Sequence, residues 1–464
     1  MLAPSPTGDE MQGGATGPAG CEGSSTGEQT PETAPPIPSP SRLKAIGFWL
    51  LQRPRLLAAI VFVGLTAAGV AFITPHVRAW YHLRAARSEL KRWHNAQAIR
   101  HLKVCHQIWP HDPDVLILAA QSARRVRGYD EAERLLKEYQ ETRGLDDACS
   151  FELLLLSAER RLDQVVDLCF HYVGEGHPDT PLILEALTLG YLQQYRLGEA
   201  RLCLDRWLQL YPDHPQALCL EGVYYLDYGH ARSAAEKSYR RVLEMDPEHE
   251  EARLGLAVAL LDDRNYEEAA RHLEYLHQCQ PDNLSIQVGL ADCLDGLDRQ
   301  EEAVRMADSV LAQKPDFVPG LSLRGRLAIK QDQFAEAENW LRKAVQINPN
   351  DHRARVALVQ ALNHNGKEQE AQQQQNLLDQ LEKDLTRFNA IVTQELVQKP
   401  RDPALHCELG QLLIRSGQHE RGLHYLRNAL SLDPQYAPAR KALEEYKQKM
   451  EAETRQPTAE QQPR

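Results

Sequence analysis

The chain has 464 residues, of which 42% are apolar and 25% are charged, and its formal net charge at pH 7 is −12. This composition is typical of globular proteins, and the length allows about three ordinary domains or one extended array. Because the chain is acidic and has no basic block after its first 75 residues, it is a poor candidate for a nucleic-acid-binding protein.

The first predicted segment is an N-terminal tail. Residues 1–41 are dominated by Pro, Gly, Ser and Thr, and such a stretch has too little apolar surface to form a packed core. We therefore expect residues 1–41 to be disordered, together with the polar residues 454–464.

An apolar run follows within residues 42–75. Residues 42–55 mix bases with aromatic and aliphatic side chains, which is typical of a segment at a lipid interface. From Leu56 to Ile73 there are 18 residues without a charge. A helix of that length reaches about 27 Å, close to the roughly 30 Å hydrocarbon layer. The run therefore predicts a single transmembrane helix at about residues 56–74, which Pro75 ends.

Two alternatives exist for this run, namely the core helix of a soluble protein and a cleaved signal peptide. A soluble helix would carry a polar stripe, whereas Thr66 is the only polar side chain here. A signal peptide begins nearer to the start of a chain and has a shorter apolar region. Four bases precede the run, namely Arg42, Lys44, Arg53 and Arg55. The positive-inside rule then favours a single-pass membrane protein with a cytoplasmic N-terminal tail.

The residues after the run are self-similar. Prolines recur at spacings of 34 or 35 residues, at Pro178, Pro212, Pro247, Pro281, Pro315 and Pro349. Small residues stand 12 and about 24 residues before these prolines, as Ala269 and Ala257 do before Pro281. Each period therefore predicts two amphipathic helices of about a dozen residues, which pack through small side chains and end at a proline.

This pattern resembles the tetratricopeptide repeat family. The stretches "NYEEAARHLEYLHQCQPDN" and "QFAEAENWLRKAVQINPND" carry the second-helix pattern of that family, from an aromatic residue through Ala to a final Pro. The resemblance implies an all-α, right-handed superhelical solenoid of helix-turn-helix repeats over residues 76–453. Ten repeats are predicted, at residues 79–112, 113–146, 147–180, 181–214, 215–249, 250–283, 284–317, 318–351, 352–385 and 403–436. The third is atypical, with Leu154 and Val166 where small residues are expected.

The end of the array departs from the regular period. Between Pro349 and Pro400 the gap is 51 residues. This gap predicts one unusually long helix, or a helix plus an extra one, near residues 367–398, and allows the array to bend or break near residue 385. Residues 438–453 then resemble the polar-faced terminal helix that closes such a solenoid.

The sequence offers neither a catalytic constellation nor a cofactor motif, since it lacks a Gly-rich phosphate loop and a Gly-x-Ser-x-Gly motif. His101, Cys105 and His106 lie on neighbouring helical turns and could hold a metal. The position of Cys105 on the packing face of its helix disfavours that reading. The 9 cysteines include no Cys-x-x-Cys pair, and most stand where a small apolar residue packs, as Cys203 and Cys293 do. We expect them to be buried thiols.

The inner surface of such a solenoid, formed mainly by the first helix of each repeat, is the expected partner-binding surface. In the predicted register nine residues face it, namely Leu189, Leu192, Leu220, Tyr224, Leu254, Val258, Asp292, Asp295 and Arg326. The alternative is that the register is one residue out, in which case these residues are ordinary contacts between helices.

The sequence therefore predicts a membrane-anchored scaffold that binds other proteins or peptides, catalyses no reaction, and contacts the lipid bilayer through residues 56–73. Two other functions stay open. One is an assembly factor of the cell envelope, similar to membrane-anchored tetratricopeptide proteins of lipopolysaccharide assembly, although their C-terminal metal-binding cysteines are absent here. The other is an enzyme whose site the sequence does not reveal.

Overall fold

The computed structural model describes residues 54–229 and 231–455, and over these residues the chain is built from α-helices joined by short turns. In chain order the helices are α1 Pro54–Lys91, α2 Asn95–Ile108, α3 Pro113–Arg125, α4 Tyr129–Arg143, α5 Asp147–Arg160, α6 Val166–Glu175, α7 Thr180–Gln193, α8 Leu197–Leu210, α9 Pro215–Asp227, α10 Arg232–Met245, α11 Glu250–Asp262, α12 Tyr266–Cys279, α13 Leu284–Gly296, α14 Gln300–Gln313, α15 Val318–Lys330, α16 Phe334–Ile347, α17 His352–His364, α18 Glu368–Ala390, α19 Leu396–Gln398, α20 Pro403–Arg415, α21 His419–Leu432 and α22 Ala437–Arg455. The predicted all-α class is confirmed for the described residues.

The chain divides into two compact units. Among the described residues, the first comprises residues 54–90 and Gln97–Arg143, and the second comprises Lys91–Ala96, residues 144–229 and residues 231–455. In the first unit, Leu83 and Cys105 belong to a small buried cluster at the packing face of its helices. The second unit contains the longer run of helix pairs and the larger clusters of buried residues.

The first helix of most repeats begins at a capping side chain. Asn283 accepts hydrogen bonds from the backbone N–H groups of Ser285 and Ile286, and Asp351 accepts one from Ala354. Such caps satisfy backbone donors that have no partner within the helix. They stand two residues after the repeat prolines, as Asn283 does after Pro281. The proline that ends one repeat thus stands two residues before the residue that caps the first helix of the next repeat.

The small residues lie where the helices of a repeat approach most closely. Ala257 on α11 and Ala269 on α12 are fully buried in the same cluster. Gly222 and Gly255 lie against the ring of Tyr239. A Cβ atom added to Gly222 would come within 2.5 Å of a ring carbon, and one added to Gly255 within 2.4 Å. The role predicted for the small residues is therefore confirmed.

The third repeat is irregular, as its bulky residues predicted. A short 3₁₀ turn, Leu162–Gln164, stands between α5 and α6, and α6 has only 10 residues. Helix α5 instead approaches α7, where the position of a Cβ atom on Gly190 would lie 2.2 Å from the carbonyl oxygen of Ala158. Leu154 and Val166 are partly buried against the same cluster of residues.

Pro75 does not end a helix, which corrects the prediction for the apolar run. Helix α1 continues through Pro75 to Lys91. A proline inside a helix removes one hydrogen bond and produces a kink, and here the helix is held beyond it by the buried residues Ala79, Leu83 and Ala86. The predicted span at residues 56–73 falls largely on side chains outside the described set. Within the residues that are described, no helix is both long enough and apolar enough to cross a membrane.

The chain between the ninth and tenth repeats does not break at residue 385. Helix α18 is continuous over 23 residues and passes directly into a π-helical turn, Ile391–Glu395, which leads into α19. The change of helical register thus occurs after Ala390. A π-helical turn contains about one residue more than an α-helical turn, so the side chains that follow it point to a different face of the helix.

Candidate protein-binding surface

Three of the nine residues predicted to face the groove are core residues. Leu189 and Leu220 are buried in one cluster with Trp207, and Leu192 is buried in another with Tyr195. Their side chains are covered by neighbouring helices of the second unit, which matches the alternative interpretation of contacts between helices. A partner would reach these repeats through other side chains.

Three further residues are partly exposed and lie on the first helices of the fifth and sixth repeats. These are Tyr224 on α9 and Leu254 and Val258 on α11. The guanidinium of Arg201 lies over the ring of Tyr224, with 5.8 Å between Cζ and the ring centroid. An arginine over an aromatic face is held by a cation–π attraction. This surface therefore combines accessible apolar area with a fixed guanidinium, whose charge is paired with Asp205 and Glu221.

The polar residues of the prediction are brought together as ion pairs. Arg326 donates to Asp292 at 2.5 Å, and Lys330 on the same helix donates to Asp295 at 2.7 Å. Burial lowers the pKa of Arg326, but the charge of Asp292 and its hydrogen bond outweigh burial, so the pKa lies above its ordinary value. The ion pairs link α13 to α15, the first helices of adjacent repeats, and give this stretch a polar surface.

Sequence reasoning missed a contact within the second unit that joins the fourth repeat to the tenth. At the turn between α7 and α8, Tyr195 has a φ angle of 52°. The corresponding turns of other repeats place Trp93, Arg264, Asp298 and Asp332 in the same left-handed region. The conformation is therefore a recurrent feature of the turn within a repeat, although it is costly for a side chain as bulky as tyrosine.

Hydrogen bonds connect this turn to α21. The Tyr195 hydroxyl donates to Gln418 Oε1 and accepts from Arg421 Nη1, each at 3.1 Å. Arg421 also lies over the Tyr195 ring, with 5.6 Å between Cζ and the ring centroid. Tyr425 donates its hydroxyl hydrogen to the backbone carbonyl of Gln194. Burial raises the pKa of Tyr425, so this hydroxyl keeps its proton as a donor.

Apolar contacts connect the same turn to the end of α18. The Phe388 ring meets the Tyr195 ring edge-on, with 4.9 Å between centroids. Val392 is fully buried in the cluster that contains Leu192 and Tyr195, and Leu396 packs against it. We call the whole set of contacts from residues 194–198 to residues 388–397 and 418–425 the closure contact.

The C-terminal side of the closure contact is held together by paired charges. Arg387 donates to both oxygens of Glu408, at 2.6 Å and 2.7 Å, and Arg415 donates to both oxygens of Asp384, at 2.8 Å and 3.0 Å. The hydrogen bond from Arg387 lowers the pKa of Glu408, and that from Arg415 lowers the pKa of Asp384. Such two-point bonds fix orientation as well as distance. They fix the end of α18 on α20.

A cavity of about 400 Å³ lies beside the closure contact. Its lining mixes apolar and charged side chains and includes Arg196, Glu199, Val397, Arg401, His406 and Asn428. Val397 and Arg401 are exposed, so the cavity is a cleft at the surface beside the closure contact, whose residues Val392 and Tyr425 are buried.

Cys105 and the pair His82 and His101 of the first unit are buried or partly buried between helices. Cys105 is fully buried, and its thiol donates to the carbonyl oxygen of Ala79. The Nδ1 atoms of His101 and His82 lie 2.7 Å apart, and burial lowers the pKa of His101. Among residues 54–229 and 231–455, no three or more His, Cys, Asp or Glu side chains are grouped as a metal site would require.

Comparison with known families identifies the repeats. Sequence patterns described as "Tetratricopeptide repeat" match residues 219–283, residues 260–327, residues 328–394 and residues 403–436. These ranges coincide with the fifth to tenth of the predicted repeats and include the extended helix α18. The predicted family is therefore confirmed by an independent comparison.

One curated protein and two solved structures illustrate the similarity. Protein O-mannosyl-transferase TMTC3 of Homo sapiens is 26% identical over 197 residues, which are 42% of this chain and 21% of that protein. The chain therefore matches about a fifth of the length of that relative. A tetratricopeptide repeat protein from Parabacteroides merdae is 18% identical with a TM-score of 0.34, and covers 61% of this chain and 99% of its own. The APC/C hetero-tetramer Cut9–Hcn1 is 14% identical with a TM-score of 0.37, over 78% of this chain and 82% of its own.

Proposed function

We propose that this chain, which belongs to the tetratricopeptide repeat family, is a scaffold that binds other proteins along its array and catalyses no reaction. Stacked helix pairs leave the first helix of each pair on an extended inner surface that suits protein partners. The observation that carries the proposal is the partly exposed surface of Tyr224, Leu254 and Val258, together with the ion pairs of Arg326 and Lys330 on the first helix of the eighth repeat.

Site-specific crosslinking tests the scaffold proposal. A photo-crosslinking amino acid replaces Val258 in the full-length chain, and crosslinked proteins are identified after purification. The matched control places it at Leu202, which is 68% exposed on α8, the second helix of its repeat. We expect a small, reproducible set of proteins from position 258 and none of that set from position 202. The same set from both positions, or from neither, would contradict the proposed surface.

Two other functions remain as alternatives. The human relative carries the name of a protein O-mannosyl-transferase, but the similarity reaches only 21% of its length, so we do not extend a transferase activity to this chain. An assembly factor of the cell envelope is a special case of the scaffold, and it would crosslink to envelope components from position 258. Recovery of a stoichiometric metal or nucleotide with the purified chain would favour an enzyme instead.

We also propose that residues 56–73 anchor the array in a membrane, with the N-terminal tail on the cytoplasmic side. The support is the stretch of 18 residues without charge and the described side chains along it. Phe62, Leu65 and Phe72 are each more than 60% exposed on α1. Large apolar side chains on such a surface need lipid or protein to cover them.

Alkaline extraction of membranes tests the anchor. A helix that spans the bilayer keeps its backbone hydrogen bonds in hydrocarbon and stays in the pellet, whereas a helix held at the surface by charge is released. We expect the full chain to remain in the pellet and a variant without residues 43–75 to move to the soluble fraction. An unchanged distribution of that variant would contradict the anchor. Protease added to sealed vesicles should then remove either the tail or the array, which reports the orientation.

A further inference from the structure

The closure contact is an exception to the way in which a solenoid is stabilised. In an array of repeats each unit contacts its neighbours in sequence, and stability is the sum of those local interfaces. The hydrogen bond from Tyr195 to Gln418 instead joins residues 223 positions apart, and that from Tyr425 to Gln194 joins residues 231 positions apart. The array does not need these bonds in order to stack, so they require a separate explanation.

Two features set the closure contact apart from the stacked interfaces of the array. The helix that meets Tyr195 contains a π turn, and π turns are frequent at functional sites. A cleft of about 400 Å³ lies alongside, and Val397, at the end of the docked helix, is 53% exposed beside it.

The element docked on the fourth repeat is one face of a helix. Phe388, Val392 and Leu396 follow each other at intervals of four residues, and all three pack in or against the cluster that contains Leu192 and Tyr195. Val397 completes the contact, 3.9 Å from the position that a Cβ atom on Gly198 would take. This is the arrangement in which an amphipathic helix from a partner would lie on a groove, with anchors one turn apart.

We propose that residues 388–397 act as an internal ligand, which occupies a surface of the fourth repeat that also accepts an amphipathic helix from a partner protein. The partner helix carries an aromatic residue followed by aliphatic residues at the fourth and eighth positions, in the pattern of Phe388, Val392 and Leu396. Its binding displaces the internal ligand and opens the closure contact. The proposal rests on the proposed function of the chain as a protein scaffold.

The test uses a labelled peptide with the sequence of residues 384–399, DLTRFNAIVTQELVQK, and the full-length chain in detergent. Its affinity is measured by fluorescence anisotropy. Phe388→Ala removes the aromatic anchor of the internal ligand and leaves the surface of the fourth repeat intact. Because the apparent dissociation constant varies inversely with the fraction of open molecules, we expect Phe388→Ala to bind the peptide at least about tenfold more tightly than the natural chain.

A second variant and two controls complete the design. Arg421→Ala removes an exposed side chain that bonds to the Tyr195 hydroxyl, so it weakens closure without touching the core and should also strengthen peptide binding. Leu377→Ala, at a position 50% exposed on the same helix as Phe388, should behave as the natural chain does. A peptide that carries Ala in place of Phe388 should bind none of the proteins.

Two results would overturn the internal ligand. One is equal affinity of the peptide for the natural chain and for both variants, which would mean that nothing occupies the surface. The other is the absence of binding to either variant while their circular dichroism stays helical, which would mean that the surface accepts no helix. Crosslinking from position 258 tests the scaffold proposal separately. If that experiment captures partners but the peptide experiment fails, the internal ligand is rejected and the scaffold proposal stands.

Discussion

His249 links folding of the second unit to pH. It is 1% exposed, and its Nδ1 accepts the backbone N–H of Ala252 at the start of α11. Burial lowers its pKa to about 4, and the nearby His94 lowers it further, against the opposing charges of Asp246 and Glu250. In the unfolded chain a histidine titrates near 6.5. Between about pH 6.5 and pH 4 the unfolded state therefore binds a proton that the folded state does not, so stability falls as the pH falls.

The substitution His249→Asn tests this linkage. Asparagine keeps the cap, as Asn283 does in the next repeat, but does not titrate. The shift in pKa corresponds to at most about 3 kcal/mol of stability lost between pH 7 and pH 4. We expect His249→Asn to remove most of that loss from the free energy of unfolding measured in urea. His352→Asn, at an exposed position of α17, should leave the pH dependence unchanged. An equal effect of both substitutions would exclude His249 as the source.

Gly190 permits a close approach between α5 of the irregular third repeat and α7 of the fourth repeat. A Cβ atom there would lie 2.2 Å from the backbone oxygen of Ala158, and a backbone atom cannot move aside as the end of a side chain can. Gly190→Ala should therefore force α5 and α7 apart and lower the free energy of unfolding by about 2–3 kcal/mol. Gly174→Ala is the matched control, because nothing lies within 4 Å of that position. Its stability in thermal unfolding should stay the same or rise by up to about 1 kcal/mol.

At the level of elements, local signals in the sequence decide most helices. Pro281, the cap Asn283 and the buried Ala291 have counterparts at fixed spacing in most periods, so most helix bounds follow from the period itself. The π turn at Ile391–Glu395 was not predictable in this way. Its position depends on Arg387, which bonds to Glu395 across the turn and to Glu408 on another helix, and a contact between helices has no local pattern.

Arg387→Ala should loosen the end of α18 without unfolding the array. Arg387 is partly exposed, so its loss costs on the order of 1 kcal/mol, which is local rather than global. We expect amide hydrogen exchange to speed up about fivefold across residues 388–398, while exchange in α11–α16 is unchanged. Lys383→Ala, an exposed position on the same helix, is the control. Faster exchange throughout the second unit would mean that Arg387 supports the array as a whole.

At the level of the whole molecule, the repeat period of the sequence predicts that the repeats stack. It predicts neither which side chains of a helix face the inner surface nor which repeats far apart in the sequence contact each other. An error of one residue on a helix turns a side chain by about 100°, since a turn has 3.6 residues, and this is enough to exchange the buried Leu220 for the partly exposed Glu221. The repeat period carries no information on the closure contact, which joins residues far apart in the sequence. An aromatic residue in the turn, such as Tyr195, is no local signal of it either, because the corresponding turn of the first repeat holds Trp93.

The closure contact should make the second unit unfold more cooperatively than an open array of repeats. Arrays that interact only with neighbours lose cooperativity as they lengthen, and Tyr195 couples the fourth repeat to the tenth. Tyr195→Asn removes the ring and the hydroxyl but keeps a residue that tolerates the left-handed conformation. We expect it to lower the free energy of unfolding by about 2 kcal/mol.

The slope of that free energy against urea concentration distinguishes lost coupling from simple destabilisation. If Tyr195 couples distant repeats, Tyr195→Asn should lower the slope, because the tenth repeat then unfolds before the fourth and each step exposes less surface. Tyr211→Ala, at an exposed tyrosine just after α8, should leave both the slope and the midpoint as they are. A lower midpoint with an unchanged slope in Tyr195→Asn would mean that the unit still unfolds as one, and that its cooperativity comes from neighbouring repeats alone.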